Sequence, residues 1–185
     1  MNSSPMNSSA MISARPESSE HAPYYSKYIA LVPEGDILAT LERQSPATAA
    51  LFARPEADGN LRYAPGKWSV KESLGHLIDA ERVFSYRALR IARNDKTPLA
   101  SFEQDDYVKY GPFDQCTLAG LVEEFTAVRR STLLMLRALD DAAWARRGVA
   151  SDNEVTVRAL AYIIAGHELH HRRIFQQKYF PASVS

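Results

Sequence analysis

Two histidines set four apart inside an apolar stripe restrict this chain more than any other feature. His167 and His171 fall in Gly166-His167-Glu168-Leu169-His170-His171, in helical register with Val157, Leu160, Ile164 and Ile174. Residues four apart share one face of an α-helix, so both imidazoles point into whatever that stripe buries. Unpaired polar groups in an apolar interior are costly, and the fold must supply a partner. His76, in Lys71-Glu72-Ser73-Leu74-Gly75-His76-Leu77-Ile78-Asp79, sits in the middle of a second helical pattern and can be that partner. A divalent ion on all three would satisfy them. Three protein ligands leave one coordination position open, the layout of a reactive site rather than a purely structural one. A lone buried histidine is ordinarily a hydrogen-bonded core residue. The pair plus a third histidine on a neighbouring helix points to metal.

The rest of the chain reads as helices. Pro33-Glu34-Gly35-Asp36 opens a first one carrying Ile37, Leu38, Leu41, Leu51 and Phe52, with Pro46 expected to break or kink it near Gln44 and Ser45. Ser69-Val70-Lys71-Glu72 is a capping box, with Trp68 placed to staple it. Val70, Leu74, Leu77, Phe84, Ala88 and Ile91 then repeat at helical spacing to about Asn94. This predicts a helix of about 25 residues, or about 37 Å. Residues 95–115 form a long connection in which Phe102, Asp105, Asp106, Tyr107 and Tyr110 suit either a pocket mouth or a packed strap. A third helix spans about Thr117 to Leu139, with Arg129, Arg130 and Arg137 expected in solvent, and a fourth spans about Val157 to Lys178 behind Thr156 as N-cap. No alternating strand pattern competes. The expected fold is all-α, a four-helix bundle with a long crossover connection, in which facing helices can build a metal site.

Composition narrows the function. The 185-residue chain has 22 basic and 22 acidic side chains, so no basic surface invites nucleic acid or anionic lipid, and no apolar run is long enough to span a bilayer. A single cysteine, Cys116, rules out an intramolecular disulfide and fits a reducing, cytoplasmic compartment. Residues 1–22, rich in Ser, Asn, Pro and Ala, read as a disordered extension with Met1, Met6 and Met11 as alternative starts and His21 in solvent. Residues 23–180 form the bundle domain, and 181–185 a short tail.

Several ordered motifs resemble the DinB-like superfamily, in particular its branch of YfiT-type metal-dependent hydrolases. They are Leu31-Val32-Pro33-Glu34-Gly35-Asp36, Pro65-Gly66-Lys67-Trp68-Ser69-Val70-Lys71-Glu72, Gly75-His76-Leu77-Ile78-Asp79-Ala80-Glu81-Arg82, Phe102-Glu103-Gln104-Asp105-Asp106-Tyr107 and Gly166-His167-Glu168-Leu169-His170-His171. The resemblance runs from about Tyr24 to Tyr179. It implies a four-helix bundle with nickel, zinc or another divalent ion on His76, His167 and His171. It also implies a homodimer and a small-molecule substrate, with a low-molecular-weight thiol among the options. Asn94 departs from the family by standing where glycine is common after the second helix.

Three functional readings follow. The first is a metal-dependent hydrolase or thiol-dependent transferase, with Asp79 and Glu168 as candidate carboxylates for proton handling. The second is a zinc protease, since His167-Glu168-Leu169-His170-His171 fits H-E-x-x-H with Glu168 as base. No further His, Asp or Glu follows to support it. The third is a non-enzymatic metal-binding bundle acting through contacts. Protons should compete with the ion near pH 6 to 6.5, where free histidine titrates (about 6.5).

Overall fold

The computed structural model describes residues 12–54 and 57–181. The alternative starts at Met1, Met6 and Met11 and tail residues 182–185 lie outside the described residues. The helices are α1 (Ser26–Ile29), α2 (Ile37–Phe52), α3 (Val70–Ala92), α4 (Gln104–Tyr110), α5 (Leu118–Arg137), α6 (Asp141–Ala145) and α7 (Val157–Ile174). A short antiparallel hairpin, β1 (Arg147–Ala150) with β2 (Asn153–Thr156), precedes α7.

Local chemistry sets the helix ends. Asp36 caps α2 by accepting from the amides of Leu38 and Ala39 at 2.7 and 3.1 Å. The Ser69/Glu72 capping box forms as the sequence predicts: Glu72 N donates to Ser69 Oγ at 3.1 Å and Ser69 N to Glu72 Oε2 at 2.6 Å. Asn94 ends α3 at φ 60°, the left-handed conformation that asparagine tolerates better than most residues. This accounts for the departure from glycine there.

α2, α3, α5 and α7 make the bundle. α2 packs on α5 and α7, and α3 packs on the same two helices. The consecutive helices α2 and α3 therefore stand diagonally. The connection between Phe52 and Val70 crosses that diagonal, whereas the strap of residues 95–117 carries the chain from α3 to its neighbour α5 by way of α4. Leu99 stitches the strap to the hairpin by exchanging backbone hydrogen bonds with Val149 and Ser151, both 2.9 Å. The apolar core has two clusters. One gathers Phe84, Leu136, Trp144 and the first half of α7, and the other gathers Phe52, Leu74, Phe125 and Phe175. Four buried polar residues, His76 and Glu81 of α3 and His167 and Glu168 of α7, fall where the two meet.

Four local expectations are corrected. α2 runs through Pro46 unbroken; the carbonyl four residues earlier belongs to exposed Glu42, where water can take the place of the lost amide. The segment before α7 forms a hairpin rather than a plain loop, turning through Ser151 and Asp152 at φ 51° and 61°. Residues 12–22, expected to be disordered, dock on the bundle: Arg15 donates to the Val32 carbonyl at 2.8 Å, Glu20 accepts from Thr156 Oγ1 at 2.8 Å, and His21 is buried. Arg129, expected in solvent, is 1 % exposed; it is in register with Phe125, Leu133 and Leu136 on the inward face of α5.

Candidate metal centre

The structure brings His76, His167 and His171 together. Their nearest ring nitrogens all lie within 4.8 Å of one another. His76 Nε2 and His167 Nε2 are 3.1 Å apart, and the three ring centroids are 4.6 to 5.0 Å apart. Burial lowers the pKa of His76 to about 4. His167 and His171 are pushed well below the usual range, chiefly by burial and then by the neighbouring imidazoles. All three are therefore neutral at physiological pH, with ring nitrogens brought close together. Each neutral imidazole has one N–H and one lone pair, so the 3.1 Å contact between His76 and His167 is bridged either by a proton, as a hydrogen bond, or by a cation that takes both lone pairs. The donor set fits a divalent ion, because neutral imidazole is the form that binds metal. His170, one residue off the face, packs instead against Tyr28, with ring centroids 5.3 Å apart.

Glycines let outside elements close over the cluster. A Cβ on Gly166 would stand 2.1 Å from the Tyr28 carbonyl oxygen, so only glycine admits α1 against α7 here, and Tyr28 lies with its ring 5.4 Å from His167. A Cβ on Gly75 would meet the Phe113 ring at 2.3 Å, so Phe113 pins the strap beside His76. Trp68 covers His76 from the far side, with centroids 4.9 Å apart. Sequence reasoning assigned Trp68 a capping role and missed Tyr28. Trp68 stands just ahead of the cap of the helix that carries His76, whereas Tyr28 is far from Gly166 in the chain and has no local signal.

Two cavities reach the cluster. One, of about 370 Å³, touches His171 and is walled by Tyr63, Trp68, Ile174 and Tyr179. The other, of about 290 Å³, touches His76 and His167 and is lined by Tyr25, Tyr28, Phe84 and Phe102 together with Glu103 and Gln104. Asp105 borders both. Phe102 and Asp105 thus serve the pocket role read from the strap, whereas Asp106 and Tyr110 line neither cavity.

The two candidate carboxylates are not at the cluster. Asp79 lies along α3 beside Arg82 Nη1 at 3.6 Å, and lines neither cavity. Glu168 points the other way from its histidine neighbours. It accepts from Thr48 Oγ1 at 2.6 Å, and Arg129 Nη1 stands 2.7 Å from its Oε2, an ion-pair contact off the hydrogen-bond line. Arg129 also donates twice to Glu81, both at 2.8 Å, and to the Leu41 carbonyl at 3.0 Å. Burial raises the Glu168 pKa against the pull of Arg129 and Thr48. Its charged partner is thus Arg129 on α5. A carboxylate locked in this way is poorly placed to serve as the base of an H-E-x-x-H protease.

Comparison with known proteins agrees with this architecture. No curated protein matches the chain. Among solved structures it is similar to YfiT from Bacillus subtilis, described as a probable metal-dependent hydrolase with an unusual four-helix bundle topology. The TM-score is 0.63 at 14% identity, covering 86% of this chain and 87% of that one. The likeness at that identity is one of fold. The DinB superfamily model matches residues 40–175, a span that takes in all three histidines and all four bundle helices but for the first residues of α2. The chain belongs to the DinB superfamily.

Proposed function

We propose that this protein holds a divalent metal ion, nickel or zinc, on His76, His167 and His171 and acts as a metal-dependent enzyme on a small molecule, as a hydrolase or a thiol-dependent transferase. The observation that carries this is the convergence of three neutral imidazoles, with nearest nitrogens within 4.8 Å of one another, at the foot of two cavities. When bound, the ion supplies Lewis acidity toward a substrate carbonyl or thiol. The chain's own part is to hold the three nitrogens from α3 and α7, to shield them from bulk water with Trp68 and Tyr28, and to offer Asp105 where the cavities meet. The similarity to YfiT, described as a probable metal-dependent hydrolase, supports the hydrolase option.

This reading includes a cytoplasmic homodimer without nucleic-acid or membrane partners. Among the described residues no helix is long and apolar enough to cross a membrane, and sedimentation would check the dimer. The direct test is metal titration of the wild type and of His171→Ala. The variant should stay helical by circular dichroism. It should lose more affinity than the about 10–100-fold cost of removing an outer partner. Equal affinity in both proteins would sink the assignment.

A further inference from the structure

The two cavities differ in chemistry, and that difference defines what the centre can accept. The cavity at His171 is walled mainly by aromatic rings and Ile174, with Lys67, Ser73 and the shared Asp105 also in its lining. Tyr63 stands edge-on to Tyr179 with ring centroids 4.9 Å apart. Tyr179 is itself fixed, its hydroxyl donating to the Trp68 carbonyl at 2.6 Å and lying 3.1 Å from Ser73 Oγ. With that hydroxyl engaged, Tyr179 offers the cavity mainly its ring, and Trp68 and Ile174 add apolar wall. The cavity at His76 and His167 carries Glu103, Gln104 and Asp105 and the tyrosines of α1. Lys27 lies over the rings of Tyr24 and Tyr28, and Arg87 over Phe84 and Phe102. Both cations stand against those rings and neither lines the cavity, whose own charged groups are Glu103 and Asp105, so it favours groups that donate hydrogen bonds. At about 370 and 290 Å³ each has room for one arm of a small molecule, near the lower end of the usual range of about 300–1,000 Å³ for ligand pockets.

We infer that the substrate is a two-armed small molecule: an aromatic or similarly bulky apolar arm enters the Tyr63/Trp68/Tyr179 cavity, a hydrogen-bond-donating arm bearing a hydroxyl or amide enters the Glu103/Gln104/Asp105 cavity, and the reacting group between them lies at the three histidines beside Asp105. This rests on the metal-centre reading above. Apolar burial drives the first arm, and pairing with otherwise hydrated polar groups orients the second.

The test uses zinc-loaded full-length protein and three hydroxamates, which share one metal-binding head: acetohydroxamate, benzohydroxamate and glycolohydroxamate. Calorimetry should show benzohydroxamate binding about tenfold or more tighter than acetohydroxamate. The ratio should collapse in Tyr63→Ala and persist in Gln104→Leu. Glycolohydroxamate should also bind tighter than acetohydroxamate, and Gln104→Leu, not Tyr63→Ala, should remove that preference. Acetohydroxamate binding as tightly as the other two, or preferences indifferent to both variants, would overturn the two-arm assignment while leaving the metal centre standing. Failure of all three to bind the zinc-loaded protein would overturn this inference, whereas failure of the protein to take up zinc would overturn the metal-centre reading on which it rests.

Discussion

Two buried polar clusters lie side by side on the same pair of helices, and they solve the problem of burial in opposite ways. Glu81 of α3 and Glu168 of α7 close around Arg129, which also reaches the Leu41 carbonyl, while Thr48 takes one oxygen of Glu168. Burial works against the Arg129 charge, yet the two carboxylates hold it protonated above the usual arginine range. The cavity against this cluster is about 10 Å³. The histidines begin one residue away, at His167. They have one another and two cavities of about 370 and 290 Å³ at their side. A cluster that satisfies itself braces the bundle. One that gathers three neutral imidazoles beside open cavities leaves room for a guest. The adjacent residues His167 and Glu168 belong to different machines because about 100° of helical rotation separates successive side chains.

The sharpest way to break this contrast is to remove the cation from the self-satisfied cluster. Arg129→Met should cost about 3–5 kcal/mol in urea unfolding, because it leaves two carboxylates buried without a partner. A cost near zero would mean that the network does not brace the fold.

Acid should act on the other cluster. His76 has a folded pKa of about 4 against an unfolded value of about 6.5, and His167 and His171 shift in the same direction. Below pH 6.5 the unfolded chain therefore binds more protons than the folded one. Stability is complete above about 6.5 and is lost as pH falls toward 4, with His76 alone accounting for something on the order of 3 kcal/mol in the metal-free protein. His76→Phe should flatten that pH dependence in thermal melts; an unchanged profile would count against the neutral cluster. The same shift moves proton competition for the ion below the range of pH 6 to 6.5 expected for free histidine.

Gly166→Ala tests the cover rather than either cluster. Its Cβ would stand 2.1 Å from backbone of α1, so the helices must part, at about 1–3 kcal/mol, read from the unfolding midpoint. The smallest effect belongs to Glu168→Gln. The glutamine can keep the Thr48 contact, and Glu81 still pairs with Arg129, so stability should change by about 1 kcal/mol or less with metal content intact. Complete loss of turnover in a metal-replete, stable variant would return Glu168 to the reacting centre and erase the distinction between the two clusters.

Much of the site was legible because spacing within a helix is a strong signal. The i, i+4 histidines, the Ser69 capping box and the third histidine on α3 needed only helical geometry. Arg129, Glu81 and Glu168 were harder, since a charged residue in a helix usually reads as solvated. Their clue was register: Glu81 falls in line with Leu74, Leu77, Ile78 and Phe84, and Arg129 with Phe125 and Leu133. The diagonal placement of α2 and α3 and the docking of residues 12–22 depend on contacts between distant segments, which no local pattern encodes. Nor did the sequence reveal the contrast between the cavities, because their walls come from α1, the segment before α3, the strap and the end of α7.

Gly75 and Gly166 each stand one residue ahead of a histidine, and each lets a separate piece of chain press directly on a bundle helix. The result is a chassis with a separate front. The nitrogens are anchored in the long helices, whereas the strap and α1 come up against them at the two glycine surfaces and are held there by their own buried side chains, Val108 and Phe113 on one side and Tyr28 and Ile29 on the other. Sequence drift in those two pieces can reshape what the protein recognises without disturbing the anchored nitrogens. For a designer, the same seam marks where to cut: new cover segments can be grafted between the glycines' contact points, and the chassis beneath keeps its geometry.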